Sequence, residues 1–379
     1  MLTPCASTAD PAIVMFDVTE DRFAEHLRLH AGRFFAELDV STTTVRLVQH
    51  SERHHSQLFD FEVADRSAVR NVIYKIPFSL EAATVDDVRE DRPSLFSLAN
   101  PLNNGLREYQ ALKSVEQHFS ELDSGRFGHI AMFELLESPF VLVMEKCGDP
   151  NLKSLLRKSV QFSPAHNSTG LNPAFANTGA WLREFHTLSD LEHTELRHAG
   201  RDTFVDAVDR FCDSLVSRIC KHSFFEQLRR RINQVALNSL PVELPCVVAH
   251  GDFAPRNILV GEESRITVFD TQRRWRAPLY EDLAYFLMSL KVPGPQVRSQ
   301  GLLFSRRQLD VWESHFLNGY FCVGPVPLTA VRLYECLLTL EWWAAINFRQ
   351  SGGRLMQRAS LALSNRYLFR YFETLLASL

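Results

Sequence analysis

Residues 246–272 read CVVAHGDFAPRNILVGEESRITVFDTQ, and no other stretch constrains the fold as tightly. An apolar run, Val247-Val248-Ala249, delivers His250-Gly251-Asp252 to a loop that continues through Arg256 to Asn257. Ile258-Leu259-Val260 predicts a short strand, Gly261-Glu262-Glu263 a turn, and Ile266-Thr267-Val268-Phe269 a return strand ending at Asp270. Strands running out and back finish side by side, so this hairpin brings Asn257 and Asp270 to one end. Asp252 lies five residues before Asn257 on the same loop. Two carboxylates and an amide oxygen thus converge, a hard-oxygen set suited to magnesium.

Outward from this stretch the chain divides by texture. After residue 150 helical period dominates, over 151–159, 173–188, 201–238, 280–291 and 306–379. Before it, 13–39 suggests one or two amphipathic helices. TTTVRLVQ, SQLFDFEVA and RNVIYKIPF then read as three antiparallel strands between 42 and 78. Residues 79–104, with Pro93, Pro101 and Asn-Asn-Gly, read as a loop, and 105–119 as a helix. FGHIAMFELLE and SPFVLVMEKCG, over 127–148, supply two more strands. The expectation is an α+β chain, with a small five-stranded antiparallel N-terminal lobe over 1–146 and a larger, mostly helical lobe over 147–379.

The totals agree with a globular chain. Of 379 residues, 45% are apolar and 23% charged, and 41 basic against 45 acidic side chains leave a formal charge of −4. No field of one sign invites nucleic acid or anionic lipid. Seven scattered cysteines without a C-x-x-C pair read as reduced thiols, and the first residues lack a leader pattern. No apolar run approaches a membrane span. A cytoplasmic protein is expected, with a small-molecule partner and neither nucleic acid nor membrane; the oligomeric state is not legible.

H-G-D-x-x-x-x-N-[ILV]-[ILV], followed thirteen residues after the Asn by Asp270 and twelve later by Asp282-Leu283-Ala284, resembles the aminoglycoside phosphotransferase-like family. That group includes choline, homoserine and sugar kinases and shares the bilobal protein-kinase-like fold. The resemblance implies an ATP-dependent phosphotransferase with magnesium as cofactor, GTP being the alternative nucleotide. Asp252 becomes the catalytic base, with Asn257 and Asp270 as metal ligands. Phosphoryl transfer needs little more than a metal on the phosphate oxygens and a carboxylate to orient the attacking hydroxyl. Asp282 braces the catalytic loop, and His250 is structural rather than a general base.

In the first half, Lys75 sits inside an apolar strand, and charges are seldom buried unpaired. It either snorkels at a strand edge or, as the resemblance implies, contacts the nucleotide phosphates. Arg107-Glu108-Tyr109 followed by Ala111-Leu112 resembles the R-E-Y-x-A-L opening of the family's helix, making Glu108 the partner of Lys75, with Glu116 as competitor. The strand Phe140–Gly148 has the character of a hinge whose backbone, at Glu145 and Cys147, takes adenine. One departure stands out: HSERHHSQ, over 50–57, has no glycine where the family's phosphate loop is expected. The alternative reading is therefore a catalytically weak pseudokinase serving as a nucleotide- or partner-binding module.

The acceptor is undecided. Thr271–Arg276 reads as an arginine-rich turn, either an anion site or a solvated face. The helix carrying Glu335, Glu341, Trp342 and Trp343 offers either an acidic pocket or core packing. A metal site around His193, Glu195 and His198 is disfavoured. Asp270 is followed by Thr-Gln, and only twelve residues separate it from Asp282. That leaves no room for the activation segment of a protein kinase.

Overall fold

The computed structural model describes residues 20–53, 56–77, 101–122, 125–137, 140–162, 169–189, 195–197, 200–271, 275–322, 324–350 and 355–379. In chain order these form α1 (Glu20–Phe34), β1 (Thr44–Arg53), β2 (Ser56–Ala64), β3 (Val69–Pro77), α2 (Pro101–Glu121), β4 (Phe127–Gly128), β5 (Met132–Glu137) and β6 (Phe140–Glu145). There follow α3 (Leu152–Phe162), α4 (Asn172–Phe185), β7 (Glu195–Leu196), α5 (Arg201–Ile219), α6 (His222–Ser239), β8 (Cys246–Val248), β9 (Ile258–Val260), β10 (Ile266–Val268) and β11 (Trp275–Pro278). The chain closes with α7 (Tyr280–Lys291), α8 (Gly294–Arg298), α9 (Arg306–Phe321), α10 (Leu328–Gln350) and α11 (Leu355–Leu376).

Contacts separate two compact units, Met1–Phe78 with Phe133–Lys146, and Ser79–Met132 with Cys147–Leu379. A single break after residue 146 is thus too simple. The segment 79–132 groups with the second unit because Val115 and Phe119 of α2, together with Phe127, pack into a core shared with Trp181, Phe185 and Phe253.

In the first unit a five-stranded sheet has the order β1-β2-β3-β6-β5. The period of two puts Phe59, Phe61, Val63, Val72, Tyr74, Val141 and Val143 on one face. Against that face lies α1, whose Phe23, Leu27 and Ala31 recur at helical spacing. Of the helical stretch expected over 13–39, Glu20–Phe34 is helix and 35–39 is turn, while residues 1–19 lie outside the described residues. The loop expected around 50–57 is largely strand: β1 runs to Arg53, paired with Ser56 at the start of β2.

In the second unit the expected 201–238 stretch is two helices, broken where Cys220 takes a left-handed conformation with φ 56°. Two small sheets were only half anticipated. Phe127–Gly128 leaves the large sheet and pairs in parallel with β10, giving the order β4-β10-β9. Trp275 and Arg276, expected to end a turn over Thr271–Arg276, instead open Trp275–Pro278, the middle strand of β7-β11-β8. Lys291 and Arg332 are matched by Glu313 and Glu335 in a buried cluster: Lys291 Nζ lies 2.6 Å from Glu313 and 2.8 Å from Glu335, and Arg332 pairs with both carboxylates.

The crossing of α4 and α9 matters most for the site. A Cβ at Gly179 would lie 2.0 Å from the Phe316 carbonyl oxygen, and one at Gly319 would lie 2.0 Å from that of Ala176. Neither helix backbone can retreat without opening the core around Trp181 and Phe316. Gly179→Ala is expected to destabilise the protein by about 3 kcal/mol, the upper range for overpacking, as read from urea unfolding.

Candidate active site

The antiparallel β9–β10 hairpin pairs Ile258 with Val268, so the ladder ends between Asn257 and Phe269, whose N–H donates to the Asn257 carbonyl at 3.2 Å. Asp270 follows in a left-handed conformation, φ 65°. The next short strand, β8, leads into the loop His250–Asn257. Asn257 Nδ2 donates to the Asp252 carbonyl oxygen at 2.9 Å and to Asp252 Oδ2 at 2.8 Å. Asp252 Oδ1 accepts from the Tyr285 hydroxyl at 2.9 Å and pairs with Arg256. Burial and the neighbouring Asp252 carboxylate push the Tyr285 phenol up to about 12, so it remains a donor.

Asp282, at the start of α7, holds this loop from beneath. Its Oδ2 accepts the His250 N–H at 2.6 Å and its Oδ1 the Gly251 N–H at 3.0 Å. Oδ2 also meets His186 Nε2 at 3.1 Å, while His186 Nδ1 meets the Tyr320 hydroxyl at 2.7 Å. Burial alone would raise the Asp282 pKa, but the His186 hydrogen bond and charge outweigh it and hold it below the ordinary value. His186 ends α4 and Tyr320 lies near the end of α9, so the tight crossing of those helices supports Asp282.

His250 is fully enclosed, and burial lowers its pKa even though Asp282, Asp252 and Asp270 all act to raise it. It is therefore neutral. The Asp252 N–H donates to its Nδ1 at 3.3 Å, which puts the ring hydrogen on Nε2. Gly251 has φ 83°, and a Cβ there would come within 2.9 Å of the Trp275 ring. Both facts require glycine between His250 and Asp252.

The donor set fits magnesium. Asn257 spends both described Nδ2 bonds on Asp252, which turns its Oδ1 away from that residue, and Asp270 supplies a carboxylate just past the hairpin. Among the described residues no group of three or more His, Cys, Asp or Glu converges on a metal position. A magnesium held by one carboxylate, one amide oxygen, phosphate oxygens and water needs no such group.

Lys75 lies on β3, the central strand of the first unit's sheet, paired with Leu58 and Leu142. It therefore does not sit on a strand edge, and it points to the face opposite Tyr74. Glu108 is buried at 4% exposure in α2 of the second unit. Its competitor Glu116 is already engaged, with Lys113 Nζ at 2.8 Å and the Met132 N–H at 3.4 Å. Glu145 pairs with Val72 at the end of β6, and Cys147 Sγ lies 3.3 Å from Asp149 Oδ2. His54, His55, His193, His198 and Gln272–Arg274 lie outside the described residues. Arg276, from the same arginine-rich segment, donates to the Cys246 carbonyl oxygen at 2.7 Å.

Sequence reasoning missed three things. His186, at the C-terminal end of an amphipathic helix, offered only a lone histidine as signal. Tyr285 stands three residues after Asp282, within one helical turn, a spacing that could have flagged it. The third is a group of buried charges beside the loop. Glu281 Oε1 accepts from Trp275 Nε1 at 3.1 Å and lies 3.8 Å from Arg197 Nε, while Arg197 Nη2 lies 3.1 Å from both Glu341 oxygens. Arg197 also sits over the Trp275 ring at 5.2 Å. Burial, opposed by Arg197 and reinforced by Asp282 and Glu341, pushes the Glu281 carboxyl up to about 7.

Residues 163–315 match the model of the Phosphotransferase enzyme family. That stretch, about two fifths of the chain, includes the loop His250–Asn257, Asp270 and Asp282. The resemblance drawn from the H-G-D motif is borne out. No curated protein matches the chain by sequence. Among solved structures, spectinomycin phosphotransferase in complex with ADP and spectinomycin is 13% identical, covering 92% of this chain and 94% of that one with a TM-score of 0.50. An ethanolamine kinase from Plasmodium vivax is 13% identical, covering 94% and 91%, also with a TM-score of 0.50. At this identity the likeness is one of fold: α+β and protein-kinase-like. Among the described residues no helix is long and apolar enough to cross a membrane.

Asp282→Asn sets an amide NH2 against groups that already donate, and is expected to cost about 3–5 kcal/mol in urea unfolding, as for breaking a buried ionic contact. Glu281 binds its proton more tightly folded than unfolded, so its contribution declines as pH rises. The stability of the wild type relative to Glu281→Gln should therefore fall between about pH 4.5 and 7 and level off above, in paired denaturation series.

Proposed function

We propose that this protein is a kinase that uses ATP and magnesium to phosphorylate a hydroxyl group of a small molecule. The observation that carries the reading is the pair of Asn257 Nδ2 bonds to Asp252, on a loop whose two N–H groups are clamped by Asp282. The Asp252 carboxylate, steered by Tyr285 and Arg256, accepts the hydrogen bond of the incoming hydroxyl. It takes the proton as the new O–P bond forms and the bond to ADP breaks. Asn257 and Asp270 would hold magnesium, which when bound supplies charge neutralisation at the phosphate oxygens. His250 and Asp282 keep the loop in register.

In the same reading Lys75 is assigned to the nucleotide phosphates and Glu108 is the carboxylate that positions it. The main chain at Glu145 and Cys147 is assigned to adenine. The position of Lys75 on the non-core face of a central strand supports its part. The acceptor classes are sugars, aminoglycoside-like compounds and amino alcohols, in keeping with the names of the similar structures, and the protein is assigned to the cytoplasm.

A second reading draws on the tight β1–β2 hairpin, which lacks a glycine-rich phosphate loop: a pseudokinase that binds nucleotide without turnover. An ATP-consumption assay over sugars, aminoglycosides and amino alcohols separates the two. Turnover lowered about 10²–10⁴-fold by Asp252→Ala supports the kinase. Magnesium-dependent thermal stabilisation by a non-hydrolysable ATP analogue, lost in Asp270→Ala, without turnover of any acceptor leaves the pseudokinase.

A further inference from the structure

Beside the catalytic loop lies a cavity of about 10 Å³, lined by Arg197, Gly251, Trp275, Glu281, Asp282, Tyr285 and Leu338. That is room for one water-sized group. The Tyr285 that walls it donates to Asp252, so the cavity adjoins the catalytic base of the kinase reading.

Among the described residues its charge is unbalanced: two buried carboxylates, Glu281 at 5% exposure and Glu341 at 1%, face one guanidinium. Arg197 gives its Nη2 to Glu341, and only Oε1 of Glu281 receives a hydrogen bond. Glu281 Oε2 is buried and has no hydrogen-bond partner among the described residues. Another buried ionic group of this unit is matched, Lys291 and Arg332 against Glu313 and Glu335. The groups facing Glu281 are Arg197, Glu341 and Tyr334 of α10, Trp275 of β11, Cys246 of β8 and Asp282 on its own helix. Arg210, exposed on α5, reaches only Glu341.

We propose that Glu281, backed by the Arg197–Glu341 pair, binds the primary ammonium group of the hydroxyl acceptor. This rests on the kinase reading, which puts the acceptor's hydroxyl at Asp252. An ammonium supplies the N–H donor and the positive charge that the described residues do not give Oε2, and it is about the size of the water the cavity can hold. A trimethylammonium group has no N–H to give and is too large for it. A neutral hydroxyl could satisfy Oε2 but would leave the charge uncompensated. The subsite therefore selects primary amines over both.

The test is calorimetric titration of the full chain, loaded with magnesium and a non-hydrolysable ATP analogue, with matched probes: ethanolamine, choline and ethylene glycol, then glucosamine and glucose. In each set the primary amine should bind at least about tenfold more tightly than its trimethylated or neutral counterpart, the size of one charge-assisted hydrogen bond. Glu281→Gln should erase that preference while leaving nucleotide binding and the weak binding of the neutral probes unchanged. Wild-type amine affinity should also rise from pH 6 to pH 8 as Glu281 deprotonates, with no such rise for glucose; this arm needs no variant to fold. Equal binding of amine and neutral probes, a preference that survives in Glu281→Gln, or no amine binding at tens of millimolar would overturn the proposal. Nucleotide binding and turnover, measured on the same samples, report separately on the kinase reading, which can fail or stand without it.

Discussion

A single buried carboxylate, Asp282, holds two backbone N–H groups in the loop that carries Asp252. Those amides belong to His250 and Gly251, at a turn where the chain has left its strand and has no ladder partner. Without an acceptor they would be orphaned inside the protein, a cost of about 1–3 kcal/mol each. A charged acceptor in a dry setting binds them more firmly than a neutral one, but only if its own charge is supported. His186 gives that support, and Tyr320 in turn fixes the imidazole. The loop His250–Asn257 is thus oriented from behind by a chain of three side chains drawn from α7, α4 and α9.

Buried charge in the second unit falls into kinds that differ in completeness. Asp282 has three donors, and the Lys291–Glu313–Arg332–Glu335 cluster balances two cations against two anions while tying α7, α9 and α10 together. Burial would raise Glu335, yet Lys291 and Arg332 hold it below the ordinary carboxylate value, which is the behaviour of a finished structural network. Glu281 goes the other way. Its neighbour Glu341 is also raised, burial outweighing Arg197. The incomplete set is the one that borders the loop, whereas the complete one lies in the helical core.

How far these features could be read from the residues depended on whether the information was local. The hairpin from Ile258 to Val268, the Asp-Asn spacing and the Asp282 position are all encoded within about forty residues, and strand or helix period suffices to place them. The sheet of the first unit, with Phe59, Phe61 and Val63 alternating, was legible for the same reason. Trp275–Pro278 was not, because a four-residue strand ending in proline has too little period to separate it from a turn, and its pairing partners lie about thirty and eighty residues away. His186 was missed because a histidine on a helix acquires meaning only from what it touches. Glu335 and Glu341 looked equivalent as an acidic pair on one helix. Their six-residue spacing turns them to different sides, so one joins the core cluster and the other faces Arg197.

The close approach of α4 and α9 also has a bearing on the order of biosynthesis. Asp252 and Asp282 leave the ribosome before Tyr320 and Gly319, the parts that secure His186. At about 5–20 residues per second, the stretch from position 282 to position 320 takes about 2–8 seconds to be made. During that interval the nascent chain has the loop His250–Asn257 and the carboxylate beneath it, but lacks the end of the helix that packs against Gly179. The support of this loop is consequently a late-maturing part of the molecule, completed only when α9 has closed against α4.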